Sequence, residues 1–437
     1  MSREQAQGNG AGLAAAAREA GRPQRAGPPP ARLEGTLHEV VERLAPIDRT
    51  PCSAGERDAA EWLLARMRDV PGVEVRLEEE PSWGTFPPTA TALGLLGVLG
   101  AALALGRRRA AGALAAAGSI AGIVDEAQNG PRLLRRLARR RRTTVNVVAR
   151  LGASGDGGEG ALPATLVVLA HHDAPQTGFV FDQRLQRRLY ELRPALIERI
   201  KTSPPQWWVG LAAPLLTFAT LATRRRRFAG AGLVIGAIGS AAAADVWRSP
   251  TVAGANDNLS GVAALVALAE MLGERPVPGL RVLLVSCGAE ETLQDGVRAF
   301  LARHCEELEP ARTFFVNLDA VGSPHLAMLE GEGPIWMEDY AGPWLREELV
   351  ACAERLQMPL RRGYRARAST DSVIPSRAGY PIATLVSGTD WGMPANYHLP
   401  SDVPANLDYA TVADAALLVY ELARTHAGDG ARGAERM

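Results

Sequence analysis

Apolar positions along this chain change their period several times, and the changes mark its parts. Leu37, Val40, Val41 and Leu44 fall at i, i+3, i+4 and i+7, which predicts an amphipathic helix. Ala59, Leu63, Leu64 and Met67 predict a second helix, and alternating Val73, Val75 and Leu77 a short strand after it. Residues 145–149, 165–170, 281–286, 313–318 and 381–386 are short apolar or β-branched runs, the kind buried on both faces of a parallel sheet. Helical patterns at 261–272, 297–307, 344–356 and 412–426 lie between and after them. This alternation predicts an α/β fold, a mostly parallel twisted sheet with helices on both faces.

Two segments break the alternation. Residues 89–106 and 110–124 are uncharged, mainly apolar, and separated by Arg107, Arg108 and Arg109. The arrangement recurs at 206–223 and 228–244, split by Arg224, Arg225, Arg226 and Arg227. Each stretch sits at or below the roughly 17–25 residues that cross a bilayer core. One reading is a pair of buried Ala/Gly-rich hairpins inside a soluble protein. The other is two membrane hairpins, spanning 89–124 and 206–247. Glycines such as Gly94, Gly97, Gly232 and Gly236 suit close helix contact in lipid, and Trp207, Trp208 and Trp247 suit an interfacial belt. The balance favours the membrane, with lipid as a partner and a bacterial cell membrane as the location.

Composition changes this picture in three places. Residues 1–34, rich in Ala, Gly, Pro and Arg with no apolar period, read as a disordered leader without a signal peptide's apolar region, and 427–437 as a disordered tail. Lys+Arg 48 against Asp+Glu 48 leave zero net charge, so no nucleic-acid partner is expected. Cys52, Cys287, Cys305 and Cys352 show no paired spacing and support neither a disulfide framework nor a thiolate zinc site. For orientation, arginine-rich hairpin tips argue for a catalytic domain outside the cell, and the arginines between Arg132 and Arg142 argue the other way. The missing signal and disulfides favour a catalytic domain on the cytoplasmic face.

The remaining charged residues collect after the predicted strands, where open α/β sheets bind ligands. His171, His172 and Asp173 follow one strand; Glu290 and Glu291 follow another; Asp319 ends a third. Asn256, Asp257 and Asn258 precede a helix, and His398 and Asp402 lie in a loop after the last strand. Each has a plain structural explanation alone, as cap, turn former or core histidine. Together, two imidazoles and several carboxylates form an N/O set suited to zinc. A pair of divalent ions needs about five protein ligands, one of them bridging, and acidifies a water held between them; a further carboxylate then handles its proton. Ligating histidines usually donate their other nitrogen to a carboxylate, a part open to Asp173 beside His171 and to Asp402 beside His398.

These strings resemble metallopeptidase family twenty-eight, the co-catalytic di-zinc aminopeptidases. The match lies in Ala170-His171-His172-Asp173, Gly254 through Gly261, Gly288-Ala289-Glu290-Glu291, Asn317 through Gly322, and Tyr397 through Asp402. It covers a catalytic domain made of residues 36–88, 143–178 and 249–426, without the hairpins. The resemblance implies two zinc ions. Asp257 would bridge them, His171 and Asp319 would complete one site, and Glu291 and His398 the other. It gives Glu290 the part of general base, Asp173 that of orienting His171, and a substrate pocket involving Ser369, Asp371 and Tyr397. His172 matches a position that is not a ligand. The implied activity is removal of N-terminal residues from a peptide substrate through a metal-bridging hydroxide. Other amide hydrolysis, carboxypeptidase action, glutaminyl cyclisation and a non-catalytic membrane scaffold stand as alternatives. The family's ordinary connection between Asp173 and Asp257 is far shorter than here, the excess being the second hairpin and an arginine-rich amphipathic stretch, 183–201. The native metal, side-chain preference and oligomeric state are not encoded in any motif.

Overall fold

The computed structural model describes residues 30–106, 108–152 and 164–428, so residues 1–29 of the leader and 429–437 of the tail lie outside it. The first helix, α1 (Ala31–Leu44), begins inside the segment expected to be leader, because Leu33 already packs into the core beside Leu37. Helix α2 (Ala54–Arg68) is capped by Ser53, whose hydroxyl accepts from the Glu56 amide at 3.1 Å.

Nine strands among the described residues form one sheet. They are β1 (Glu74–Ser82), β2 (Arg142–Gly152), β3 (Ala164–His171), β4 (Leu280–Cys287), β5 (Thr313–Leu318), β6 (His325–Glu332), β7 (Glu338–Asp339), β8 (Arg361–Ala366) and β9 (Ile382–Gly388). Their order is β1-β2-β4-β3-β5-β9-β6-β7, with β8 also paired to β6. The centre, β4-β3-β5-β9, is parallel, and antiparallel strands flank it on both sides. In β3 the alternation is complete: Leu166, Val168 and Ala170 enter one core, Val167 and Leu169 the other. Strands β6, β7 and β8 were not visible in the hydrophobic pattern. β8 carries Arg361, Arg362 and Arg365 and is at best half-buried, so it offers no apolar run.

Before the other helices of the sheet come four apolar ones. Helices α3 (Pro87–Leu105) and α4 (Arg109–Ala127) form the first hairpin; α5 (Leu133–Ala138) and α6 (Arg184–Leu192) lie outside the pairs; α7 (Trp208–Thr223) and α8 (Arg226–Arg248) form the second. The hairpins pack together as one bundle, with Arg226 donating to the Leu105 carbonyl at 2.6 Å where the two tips meet. Contact is close because small residues face one another. A Cβ on Gly236 would meet the Ala213 Cβ at 2.6 Å, and one on Gly100 the Gly112 carbonyl at 3.1 Å. Helices α3, α4 and α8 are long and apolar enough to cross a membrane; α7, at 16 residues, is shorter. At 1.5 Å per residue, the 19 residues of α3 reach about 28 Å.

Helices α9 (Ser260–Glu274), α11 (Pro343–Arg355) and α13 (Tyr409–Gly428) join α1 and α2 on one face of the sheet. α10 (Asp295–His304) covers the other, with the short α12 (Val373–Arg377) beside it. Two arginines fasten the bundle to this body. Arg132 pairs with Asp295 and donates to the Leu293 carbonyl; Arg135 pairs with Glu126 of α4 at 2.6 Å and donates to the carbonyls of Gly84 and Thr292. Both are buried, so neither counts as a charge at a membrane surface, contrary to the use made of them in weighing orientation.

Candidate active site

The parallel strands deliver their charged residues to one end of the sheet. β3 ends on His171; β4 is followed by a short turn, Glu290–Thr292; β5 is followed by Asp319. Asp257 sits in the segment Ala255–Leu259 that leads into α9, with a cis peptide to Asn258. His398 comes from the loop after β9. Several of these loops hold non-glycine residues at positive φ, among them Ala289, Leu293, Gln294, Ala320, Asn396 and His398 itself. Such backbone is sparsely populated and collects at functional sites.

All five expected ligands converge. The His171 Nε2 lies 3.2 Å from Asp257 Oδ1, and the His398 Nε2 lies 3.1 Å from Asp257 Oδ2 and 3.4 Å from Glu291 Oε1. Two triads result, His171–Asp257–Asp319 and Asp257–Glu291–His398, each with ligand atoms within 4.8 Å of one another. Asp257 belongs to both, offering one oxygen to each imidazole. Glu290 stands beside them, its Oε2 3.9 Å from His171 Nε2.

Supporting contacts explain why the loops hold. Asp173 contacts His171 Nδ1 at 3.3 Å and accepts the amides of Glu290 and Glu291 at 3.1 and 2.9 Å, so one carboxylate orders two of the loops. Asp402 does something other than expected. It accepts the amides of Asn256 and Asp257 at 2.7 and 3.1 Å and leaves His398 Nδ1 without a hydrogen-bond partner among the described residues. His398 is held by rings instead, stacked on Tyr397 at 4.0 Å and against Phe181 at 4.3 Å. Asn256 and Asn258 serve the backbone: their side-chain oxygens accept the amides of Gly322 and Ala320, which ties the Asp257 segment to the end of β5. His172 contacts Ser286 at 3.0 Å and is held neutral by burial, which lowers its pKa to about 4.

Three supporting residues were not anticipated. Arg49 is fully buried and donates to the carbonyls of His172, Leu44 and Ala253 at 2.8, 2.7 and 2.7 Å, joining the His171 and Asp257 loops. Gly254 must be glycine beside it, since a Cβ there would meet the Asp257 carbonyl at 2.4 Å and its φ is +57°. Glu56 accepts the Ala289 amide at 2.8 Å, just ahead of the paired glutamates. Gln294 donates to Glu290 Oε1 at 2.5 Å and to the Ser369 carbonyl at 2.9 Å, fixing the carboxylate of Glu290. Only Glu56 carried a sequence signal, as the fourth residue of a capping pattern begun by Ser53.

Electrostatically the cluster is overloaded with carboxylates. Burial, reinforced by neighbouring acids, pushes Glu290 and Glu291 well above the carboxylate range and raises Asp319 to about 7. Burial opposes ionisation of Asp257 as well, but hydrogen bonds from His171 and His398 outweigh it and hold that group low. Likewise His171 is raised well above its ordinary value, its bonds to Asp173 and Asp257 outweighing burial. Closely packed like charges favour the neutral form unless cations join them. The unpartnered His398 Nδ1 sits on a ring whose other nitrogen faces two carboxylates. This donor set, oxygen and imidazole nitrogen without thiolate, fits divalent zinc.

A cavity of about 700 Å³ opens over the cluster. Ser369 and Tyr397 line it, as expected of pocket residues. Asp371 does not; it is buried behind the wall against the Cys287 thiol, where burial raises it to about 7. It acts on the cavity electrostatically, through His171, Asp319 and Glu290, which do line it.

With this geometry in hand, residues 238–423 match peptidase family M28. That segment carries the family's pattern over its length. The matched segment holds Asp257, Glu290, Glu291, Asp319 and His398; His171 and Asp173 precede it, beyond the second hairpin. No curated protein matches the sequence. Among solved structures, an aminopeptidase from Aneurinibacillus sp. strain AM-1 is 14% identical, covering 89% of this chain and 92% of its own, with a TM-score of 0.51. A leucine aminopeptidase precursor from Bacteroides thetaiotaomicron is 13% identical, covering 90% and 96%, with a TM-score of 0.51. A glutaminyl cyclase from the same organism is 12% identical, covering 90% and 97%, with a TM-score of 0.50. At these identities the likeness speaks for the fold. The fold they share with this chain is a mixed α/β sheet flanked by helices.

Proposed function

We propose that this chain is an M28-type two-zinc peptidase that removes N-terminal residues from peptides, anchored in a membrane by its helical bundle. The observation carrying this reading is Asp257, whose two oxygens are shared between two ligand triads. His171 and Asp319 would hold one ion with it, and Glu291 and His398 the other. Bound there, zinc supplies Lewis acidity toward an amide carbonyl and lowers the pKa of water.

The chain's own groups divide the remaining work. Asp173 accepts a hydrogen bond from the Nδ1–H of His171, which leaves the Nε2 lone pair directed at the cluster. Glu290, with Oε1 held by Gln294, keeps Oε2 free to take a proton and return it to a leaving amine. Its raised pKa, set by burial, suits a group that must hold that proton between steps. The glutaminyl cyclase among the similar structures supports a second reading, in which an N-terminal glutamine cyclises at the same site.

Metal content, measured together with cleavage of aminoacyl anilides and of a glutaminyl peptide, tests both. About two zinc ions with anilide cleavage supports the peptidase. A metal-free, inert protein defeats it. For location, the exposed basic residues on the catalytic side, Arg136, Arg140, Arg141, Arg142 and Arg199 among them, support the cytoplasmic face even without Arg132 and Arg135. Protease accessibility in sealed vesicles checks that placement.

A further inference from the structure

The cavity over the ligand cluster does not end at the catalytic body. Its far wall is made by the bundle: Ala90 and Gly94 of α3, Ile123 of α4, and Gly239, Ala243 and Val246 of α8. One continuous space therefore has carboxylates and imidazoles at one end and small apolar helix residues at the other. An aminopeptidase of short soluble peptides has no need of such a wall. At about 700 Å³ the space lies in the upper range of pockets that enclose a drug-sized ligand, far more than a single residue requires.

The rim points the same way. Phe179 and Val180 line the cavity and are exposed to the outside. Directly after them, α6 buries none of its residues and exposes Leu185, Leu189 and Leu192, spaced i, i+4, i+7, while Arg184, Arg187 and Arg188 occupy its other sides. Leu196 and Ile200 continue the apolar series, and Ile200 reaches the cavity. A helix of this pattern lies in the plane of a lipid interface with its apolar face down. The outer surfaces of α3, α4 and α8 expose Leu99, Leu114 and Val234, consistent with lipid around the wall itself. The opening thus stands where a lipid-dissolved molecule would arrive.

Resting on the hydrolase reading above, we propose that the substrate is an amphiphilic amide: a peptide-type bond joined to a long alkyl chain. The chain lies along the catalytic-side ends of α3 and α8, and the scissile bond sits among His171, Asp257, Glu290 and His398. The bundle is then part of the specificity pocket as well as an anchor. Hydrolysis adds water across the C–N bond, giving a carboxylic acid and an amine, and needs no further reactant.

Two substrate series test this with the full-length, zinc-loaded protein in detergent, all members kept below their micelle concentrations. One series carries alkyl chains of methyl to about decyl on the acyl side, as 2-aminoalkanoyl anilides; the other carries them on the amine side, as alanyl alkylamides. The expected result is a rise in kcat/KM of about fourfold per methylene in at least one series until the cavity is filled. Ala243→Phe, which narrows the apolar end, should move the best chain length shorter, and Val246→Ala should move it longer. Cleavage of the shortest members with no dependence on chain length in either series overturns the proposal and leaves the hydrolase reading standing. Zinc-loaded protein that cleaves nothing in either series overturns both.

Discussion

At the carboxyl end of the sheet, the backbone amides of Asn256, Asp257, Glu290 and Glu291 are each tied to a named carboxylate. In the bundle, helices touch through glycine and alanine, and hydroxyls such as those of Ser119, Thr217, Thr220 and Ser240 donate to helix carbonyls. The first region spends polar groups on fixing positions. The second avoids them and leaves Leu95, Leu114 and Val234 facing outward. Water would penalise that exposure and lipid would not, which is the contrast expected of a bundle set in lipid as proposed and a body set in water. Arg132 and Arg135 are where one construction meets the other.

Substitutions sharpen this contrast, beginning with the polar region. Asp257→Ala removes the oxygen pair shared by both triads, and hydrolysis should fall to background while bound zinc drops below two per chain, read by metal analysis. A fully loaded variant would refute bridging. Glu290→Gln keeps every expected ligand and should lower kcat by about 10²–10⁴-fold with zinc content unchanged. At the junction, Arg135→Leu leaves Glu126 buried without its cation; losing one partner of a buried pair costs about 3–5 kcal/mol, visible as earlier thermal unfolding in detergent. Within the bundle, Gly236→Leu forces a side chain against Ala213 and Val98, and overpacking of this kind costs about 1–3 kcal/mol. That loss should appear in bundle melting while the zinc stoichiometry holds. On the outer surface, Leu114→Asn should change stability in detergent by less than about 0.5 kcal/mol yet reduce recovery in the membrane fraction. Equal recovery would argue that the bundle's outer face meets no lipid.

How far the sequence reaches follows the same division. The residues of the cluster stand out because charge directly after an apolar strand is unusual, and a parallel sheet gathers strand ends in one place. The four apolar helices were legible from uncharged runs bounded by arginines. Arg49, Gln294, Arg132 and Arg135 were not, since their partners are carbonyls and side chains far along the chain, and nothing local marks them. Asp402 was one of two residues to which an orienting part stood open, on its nearness to His398 in sequence, whereas the loop turns its carboxylate back to the Asp257 backbone. Asp371 was placed in the pocket by the resemblance of its segment to the family's, although its side chain is buried behind the wall. β8 escaped notice because its arginines hide an extended backbone behind a charged pattern.

The contact from Glu126 through Arg135 to the Thr292 carbonyl spans from the last turn of α4 to the turn that carries Glu290 and Glu291. A thinner or thicker bilayer tilts helices to match their hydrophobic length. With the bundle set in a bilayer as proposed, a tilt of α4 would pull on the turn of Glu290 and Glu291 through the Arg135 guanidinium, and hydrolysis there would then respond to the thickness of the surrounding lipid.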